Sequence, residues 1–140
     1  MKVFFDSSAF AKRYIEEPGS NKIEKCCLDA SMIAVGSICL PEIVSALCRL
    51  KRNKIVTAGQ YRKAKQALLD DLNDATICNI TPHVIKKSIE LLERNTLRTM
   101  DALHIGCALE WEAELFVSSD KRQILAAKKG WFKSSICLGD

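Results

Sequence analysis

Four acidic residues lie where the chain leaves a predicted strand or enters a predicted helix. Asp6 follows the apolar strand "KVFF", and Asp120 follows "LFV" and two serines. Glu42 and Asp101 stand at the start of the helical stretches "PEIVSAL" and "MDALHIGCAL". In an open parallel sheet flanked by helices, strands end and helices begin at one edge, where ligands bind. The four carboxylates are therefore predicted to meet, and such a cluster suits Mg²⁺-dependent phosphodiester hydrolysis.

Each acid taken alone also has a purely structural interpretation. An acidic side chain at a helix N-terminus is favoured by the helix dipole, and Asp is a preferred capping residue. Asp120 with Gln123 resembles a capping pair, and Thr99 could cap the helix that carries Asp101. Capping is the favoured interpretation of any one of these residues in isolation.

The surroundings of two acids favour a functional role. The helix face through Asp101, Ile105 and Ala108 is apolar except for the acid, and Glu42 shares its helix with several apolar residues. Partly buried carboxylates repel one another, and no Lys or Arg adjoins Asp6 or Glu42 in the sequence. A hard divalent cation, Mg²⁺ held by a few carboxylates, would compensate this repulsion.

Strands and helices alternate along the chain. Strands are predicted at residues 2–5, 32–37, 75–80, 114–120 and 134–140. Helices are predicted at residues 8–16, after Pro18-Gly19-Ser20, and at 40–53, 57–74, 82–94, 100–112 and 121–129. This alternation predicts a parallel sheet flanked by helices. No linker or repeat interrupts the pattern, so we expect one domain over residues 1–140.

The composition is that of an ordinary soluble globular protein. The 140 residues are 48% hydrophobic and 27% charged. No apolar run approaches the roughly 20 residues that a membrane helix needs, and the first residues lack the pattern of a secretory signal. The seven cysteines lie in apolar stretches without paired metal spacing. We therefore expect buried thiols, a cytoplasmic location and no membrane segment.

A basic segment, residues 49–65, contains seven Lys or Arg residues and no acid. Two interpretations stay open for it: a solvated helical face, or a surface that binds phosphates. The candidates for contact with the phosphates of a nucleic acid are Arg49, Arg52, Lys54 and Lys63.

Two further residues near the acids carry a possible role. Arg98 precedes Asp101 by three positions and would either contact a nucleic-acid phosphate or pair with an acid of the site. His104 lies one turn after Asp101, and a hydrogen-bonded structural histidine is favoured over a general base.

Four segments together resemble a known family. The stretches "FFDSSAFAKRY", "PEIVSAL", "RTMDALHIGCAL" and "FVSSDKRQIL" resemble, in order and spacing, the PIN-domain ribonucleases, most closely the VapC toxins of toxin–antitoxin pairs. The resemblance spans nearly the whole chain. It implies a three-layer α/β/α fold with a parallel sheet of about five strands. It also implies RNA cleavage, a homodimer and a cognate VapB-like antitoxin.

The same resemblance assigns site residues. It implies that Asp6, Glu42, Asp101 and Asp120 hold Mg²⁺ or Mn²⁺, and that Ser118 supplies a hydroxyl near the metal.

Competing functions are separated by single features. A phosphohydrolase of the haloacid dehalogenase type needs a second Asp two positions after its first, where this chain has Ser8. Two alternatives share the PIN fold: an RNA-processing nuclease that is not a toxin, and a catalytically weak RNA-binding module. A module that no longer cleaves RNA has no need for four mutually repelling carboxylates, which favours an enzyme.

Overall fold

The computed structural model describes residues 1–129 and the backbone of residues 134–137. The strands in this part of the chain are β1 (Lys2–Phe5), β2 (Met32–Gly36), β3 (Thr76–Cys78), β4 (Leu115–Ser118) and β5 (Ser134–Cys137). They form one parallel sheet in the order β3-β2-β1-β4-β5. The strand predicted at 134–140 therefore begins as expected, and its last three positions lie outside the described residues.

Strand β1 occupies the centre of the sheet. Val3, Phe4 and Phe5 are each no more than 2% exposed. Val3 pairs with Ile33 of β2 on one side and with Leu115 of β4 on the other. The unbroken apolar run at the start of the sequence is thus typical of a parallel strand that is covered on both faces.

Helices cover both faces of the sheet. They are α1 (Ser7–Phe10), α2 (Ser20–Asp29), α3 (Cys39–Arg52), α4 (Ala58–Asn73), α5 (Pro82–Arg94), α6 (Thr99–Glu110) and α7 (Lys121–Lys128). Because side chains alternate across a strand, Val3 and Phe5 pack with α1 to α4, whereas Phe4 packs with α5 to α7. The three-layer α/β/α architecture is confirmed. No helix among the described residues combines the length and apolar character needed to cross a membrane.

The topology creates a crevice at the end of β1. From β1 the chain adds β2 and β3 on one side of the sheet, and it later adds β4 and β5 on the other. Such a switch point opens a ligand crevice at the carboxyl ends of the strands. The backbone N–H of Asp6 donates to the carbonyl of Val117 at 3.1 Å, so the chain stays bound to β4 as it enters this crevice.

Some element boundaries differ from those predicted. The helix expected at 8–16 is the single turn α1 followed by a 3₁₀ turn over Ala11–Arg13, in which Tyr14 N–H donates to the carbonyl of Ala11. Thr99 does not cap α6, because Arg98 holds the N-cap position without a side-chain hydrogen bond. The predicted Thr57 cap of α4 is confirmed and forms a capping box with Gln60.

Two of the described cysteines pack in the core as neutral thiols. Six are described and all are free. Cys39 and Cys107 are buried, and burial raises the pKa of each thiol to about 12. These thiols therefore stay protonated near neutral pH and serve the core as small apolar groups.

Helices α5 and α6 pack in close contact at Gly106. A Cβ atom at this position would lie 2.6 Å from Ser88 Oγ and 3.1 Å from the carbonyl oxygen of Val84. Ser88 has no freedom to retreat, because its hydroxyl donates to Val84 O at 2.7 Å and also lies 3.2 Å from Ala102 O. Glycine is thus required here by the contact between two helices.

We predict that Gly106→Ala lowers the free energy of unfolding by about 1 to 3 kcal/mol, because the added methyl group overpacks the helix interface. Gly59→Ala is the matched control: its added Cβ would have contacts no closer than 3.8 Å. That change should raise stability by up to about 1 kcal/mol, since alanine is the better helix former. Urea unfolding midpoints measure both effects, and equal shifts for the two variants would contradict the prediction.

Candidate active site

Asp6 is the most buried of the four acids. It caps α1 by accepting a hydrogen bond from Ala9 N at 2.9 Å, and its side chain is 1% exposed. The Ser8 hydroxyl lies 2.8 and 2.9 Å from the two carboxylate oxygens of Asp6. Ser118 Oγ donates to Oδ2 at 2.6 Å, and Gln123 Nε2 donates to the same oxygen at 2.8 Å. Asp6 is therefore both a helix cap and the centre of a hydrogen-bond network.

The charge on Asp6 is only partly compensated by these contacts. Burial raises the pKa of Asp6 above its ordinary value, against the lowering effects of nearby His104 and of the hydrogen bonds from Ser118, Ala9 and Ser8. Neutral donors thus fail to offset the loss of water around the carboxylate. A positive charge placed beside Asp6 would favour its ionised form.

Glu42 is held by a pair of side chains from other elements. It lies in the first turn of α3, and its Oε1 accepts from Ser7 Oγ at 2.6 Å and from His104 Nε2 at 2.6 Å. Burial raises the pKa of Glu42, but the hydrogen bonds from His104 and Ser7 together with nearby positive charge hold it below its ordinary value. Glu42 is therefore ionised at neutral pH and fixed in direction.

His104 is buried and points its Nε2 into this cluster. The side chain is 2% exposed, and its Nδ1 has no hydrogen-bond partner among the described residues. Because a carboxylate can only accept, the Nε2 that lies 2.6 Å from Glu42 Oε1 carries a hydrogen and donates it. The favoured interpretation of His104 as a hydrogen-bonded residue agrees with this geometry, and its partner is a site acid.

Arg98 links the two remaining acids at the rim of the crevice. Its Nε lies 3.2 Å from Asp101 Oδ2, and one of its terminal nitrogens lies 3.9 Å from Asp120 Oδ2. The Arg98 side chain is 71% exposed, whereas those of Asp101 and Asp120 are 10% and 17% exposed. Of the two roles considered for Arg98, pairing with site acids is thus observed in this structure.

Asp120 also caps the helix that follows it. It accepts a hydrogen bond from the backbone N–H of Arg122 at 2.8 Å, and its own N–H donates to Ser118 Oγ at 2.9 Å. The capping pair predicted between Asp120 and Gln123 is therefore absent, because Ser118 already accepts the N–H that Gln123 would have bound.

Gln123 is the site residue that the sequence analysis misassigned. It is 2% exposed, and its Nε2 donates both to Asp6 Oδ2 at 2.8 Å and to Asp101 Oδ1 at 3.0 Å. The available signal was its position: Gln123 precedes Ala126 and Ala127 by three and four residues, on the helix face that packs into the core. A polar residue on such a face needs a polar partner inside the fold.

We use the name acid edge for the sheet edge that carries Asp6, Glu42, Asp101 and Asp120. Of the residues predicted to contact RNA, only Arg98 lies there. The others are exposed on the last turn of α3, in the turn that follows it and on α4: Arg49, Arg52, Lys54 and Lys63. Along α3, Arg49 and Arg52 are about 10 to 15 Å from Glu42. The basic segment is therefore a separate surface.

The donor chemistry of the acid edge fits Mg²⁺ or Mn²⁺. Hard oxygen ligands from carboxylates suit both ions, and Asp6 and Asp101 already flank a single electropositive nitrogen. Across the described residues, no group of three or more His, Cys, Asp or Glu side chains is arranged to hold a metal ion. In this structure the carboxylates are instead bound by Gln123, Arg98 and His104.

Solved structures share the fold over nearly the full length. A toxin–antitoxin complex from Klebsiella pneumoniae matches with a TM-score of 0.71 and 14% identity, covering 99% of this chain and 98% of that one. VapC20 of Mycobacterium tuberculosis, described as a toxin that cleaves the sarcin–ricin loop, matches with a TM-score of 0.69 and 14% identity, covering 94% and 97%. At these identities the likeness is one of fold.

FitAcB from Neisseria gonorrhoeae matches with a TM-score of 0.70 and 8% identity, covering 96% of each chain. A comparison with curated protein sequences gave no match. The family model of the PIN domain matches residues 3–129. That span includes all four acids, all five residues that bind Asp6 or Glu42 through their side chains, and all seven helices in full. The sequence resemblance is thereby confirmed, and the chain belongs to the PIN-domain family.

Proposed function

We propose that this protein is a metal-dependent endoribonuclease that acts as the toxin of a toxin–antitoxin pair. PIN domains are generally nucleases. The observation that carries the proposal is the placement of Asp6 and Asp101 on either side of one nitrogen, with the pKa of Asp6 raised by burial. Carboxylates held together without full compensation are what a divalent cation needs in order to bind.

The four acids would hold Mg²⁺ or Mn²⁺, and the residues around them would keep the acids in place. When bound, the ion would activate water and neutralise the charge that develops on the phosphate. Ser118 and Ser8 orient the carboxylate of Asp6 through their hydroxyls. His104 fixes the direction of Glu42, and the exposed guanidinium of Arg98 is available to a phosphate oxygen.

RNA is the substrate that the basic segment favours, although this surface lies apart from the acid edge. The basic segment offers seven cationic side chains, and each is exposed. One structural neighbour is described as a toxin that cleaves the sarcin–ricin loop. A PIN nuclease that processes RNA without being a toxin, and a weak RNA-binding module, are the alternatives. Measured RNA cleavage would exclude the weak RNA-binding module. A partner protein that inhibits cleavage would exclude the RNA-processing nuclease that is not a toxin.

The proposed partner is a small VapB-like antitoxin. Neighbours in fold include a complex from Klebsiella pneumoniae and the DNA-bound VapBC complex from Salmonella typhimurium. An inhibitor that inserts an Arg side chain among the acids would exploit the same repulsion that attracts a metal ion. We further propose that the protein is a cytoplasmic homodimer.

Asp6→Asn and Asp101→Asn should each reduce RNA cleavage by about 100-fold or more, because several kcal/mol of charge stabilisation depend on the bound ion. EDTA should abolish cleavage by the wild type, and Mn²⁺ or Mg²⁺ should restore it. Asp70→Asn, an exposed change on α4, is the control and should cleave at the wild-type rate. The assay follows labelled RNA on gels. Full RNA cleavage by the wild type in EDTA, or by both site variants, would contradict the proposal.

Charge reversal of Arg52, Lys54 and Lys63 together should weaken RNA binding and flatten its salt dependence. Each lost phosphate contact should reduce the slope of log affinity against log salt by about 0.7 for single-stranded RNA. The control reverses three exposed lysines elsewhere, Lys22, Lys25 and Lys86, and so matches the change in net charge. Equal slopes for the two triple variants would mean that the basic segment is only a solvated face.

Antitoxin and metal should compete for the acid edge. Titration of the small protein encoded by the neighbouring reading frame should show weaker binding at rising Mn²⁺. Combined Glu42→Gln and Asp101→Asn changes should weaken its binding in the absence of the ion, because the inserted cation loses its counter-charges. Binding that responds to neither change would place the inhibitor on another surface.

A further inference from the structure

Gln123 brings an amide to a position where packing alone would favour an apolar side chain. Its neighbours on α7, Ile124, Ala126 and Ala127, are all buried and apolar. Gln123 is buried to the same degree, so its amide has lost contact with water. Burial of an amide is unfavourable unless its polar atoms are hydrogen-bonded. The residue type therefore calls for an explanation beyond the filling of space.

Only half of the Gln123 amide is satisfied. Nε2 donates one hydrogen bond to Asp6 and one to Asp101, which accounts for both of its hydrogens. Oε1 is buried and has no hydrogen-bond partner among the described residues. The opposite orientation of the amide would point its oxygen at two carboxylates. The orientation is therefore dictated by the acids, and it leaves an acceptor unused.

We propose that Gln123 is a built-in competitor of the divalent ion: its amide nitrogen holds the Asp6–Asp101 pair in the ion-free protein and leaves that position when the ion binds. This inference rests on the metal-dependent nuclease proposed above. It assigns to Gln123 a positioning role that sets how tightly the site takes up its ion.

The amide and the cation compete because both bind lone pairs on the carboxylate oxygens of Asp6 and Asp101. The hydrogens on Nε2 occupy lone pairs of Asp6 Oδ2 and Asp101 Oδ1. A cation bound between these carboxylates would use oxygens of the same groups, and it would be repelled by the partial positive charge on the N–H groups. The amide carries no net charge, so it keeps the carboxylates hydrogen-bonded without neutralising them.

When the amide nitrogen leaves the two carboxylates, the Gln123 Oε1 atom can also gain a binding partner. The terminal torsion of a glutamine side chain is broad, so the amide can turn over within its pocket. After such a turn, Oε1 faces the cation side of the site, where it can accept from an ordered water or approach the ion itself. The unpaired oxygen of the ion-free state is thereby satisfied in the ion-bound state.

The first test compares Mn²⁺ affinity between the wild type and Gln123→Met, by the electron paramagnetic resonance of free Mn²⁺. Methionine has a similar length and no amide. We expect it to bind Mn²⁺ tighter by about tenfold or more, because hydrogen bonds to charged groups no longer have to be broken. Gln66→Met is the matched control: Gln66 is exposed and donates to Asp70 at 2.9 Å, so its affinity should equal that of the wild type.

The second test uses the wild-type protein and does not depend on the folding of a variant. In ¹⁵N-labelled protein, the Gln123 side-chain amide hydrogens should exchange slowly with water in the absence of metal, because both are buried and hydrogen-bonded. Titration with diamagnetic Mg²⁺ should shift these resonances and remove their protection. The side-chain amide of exposed Gln66 provides the internal reference.

The outcomes separate the two proposals. Equal or weaker Mn²⁺ binding by Gln123→Met than by the wild type overturns the competitor role. Should that variant not fold, Gln123 amide resonances that stay unchanged at saturating Mg²⁺ overturn it instead. A wild-type protein that binds neither ion overturns the metal-dependent nuclease as well. Wild-type metal binding with an undisturbed amide removes only Gln123 from the scheme.

Discussion

A buried carboxylate at the end of the central strand is the constraint to which the rest of the site is fitted. Asp6 is 1% exposed, so water cannot stabilise its charge. The hydrogen bonds that it accepts come from neutral donors: Ser8, Ala9, Ser118 and Gln123. Because burial still raises its pKa, these dipoles leave part of the electrostatic cost in place. A cation that binds beside Asp6 would offset the remaining electrostatic cost, and this gain would strengthen its binding.

The register of the sheet explains why this carboxylate meets its partners. Phe5 pairs with Val117 across β1 and β4, so the next residues on the two strands, Asp6 and Ser118, emerge side by side. Their side chains meet at 2.6 Å. A slip of one residue between the strands would turn every side chain to the opposite face and separate the two groups. The apolar packing of Val3, Phe4 and Phe5 on both faces prevents such a slip, and thereby positions the chemistry.

The fold and the placement of the four acids at one edge of the sheet could be predicted from the sequence, because both follow from the order of residues along each segment. Apolar runs followed by acids, and acids at helix starts, predict one edge once a parallel sheet is assumed. The role of Gln123 could not be predicted in this way, because its position fits two different roles. It stands where a capping residue would bind Asp120, and it also lies on the face of α7 that packs into the core. The outcome was decided by Ser118, which lies in another element and binds Asp120 N–H first. Tertiary competition of this kind has no signature in a single sequence.

The length of α1 and the distance between the basic segment and the acids could not be predicted from the sequence either. The pattern at 8–16 is consistent with a helix, yet the chain tightens into a 3₁₀ turn after one helical turn. Arg49–Arg52 shares α3 with Glu42, but residues at the two ends of a helix are separated by its length. Charge composition predicts a partner class, whereas only the three-dimensional arrangement shows how far the charges lie from the acids.

The groups that bind the acids differ in their own exposure, and this difference keeps the site available. Two of them are buried: Gln123, whose neutral amide bridges Asp6 and Asp101, and His104, which binds Glu42. The third, Arg98, is exposed at the rim and faces Asp101 and Asp120. A cationic side chain buried in place of Gln123 would form an ion pair in a low-dielectric interior, which is costly to break. Arg98 at the rim is screened by solvent and can exchange partners readily. Net positive charge beside Asp6 is thus left to be supplied from outside.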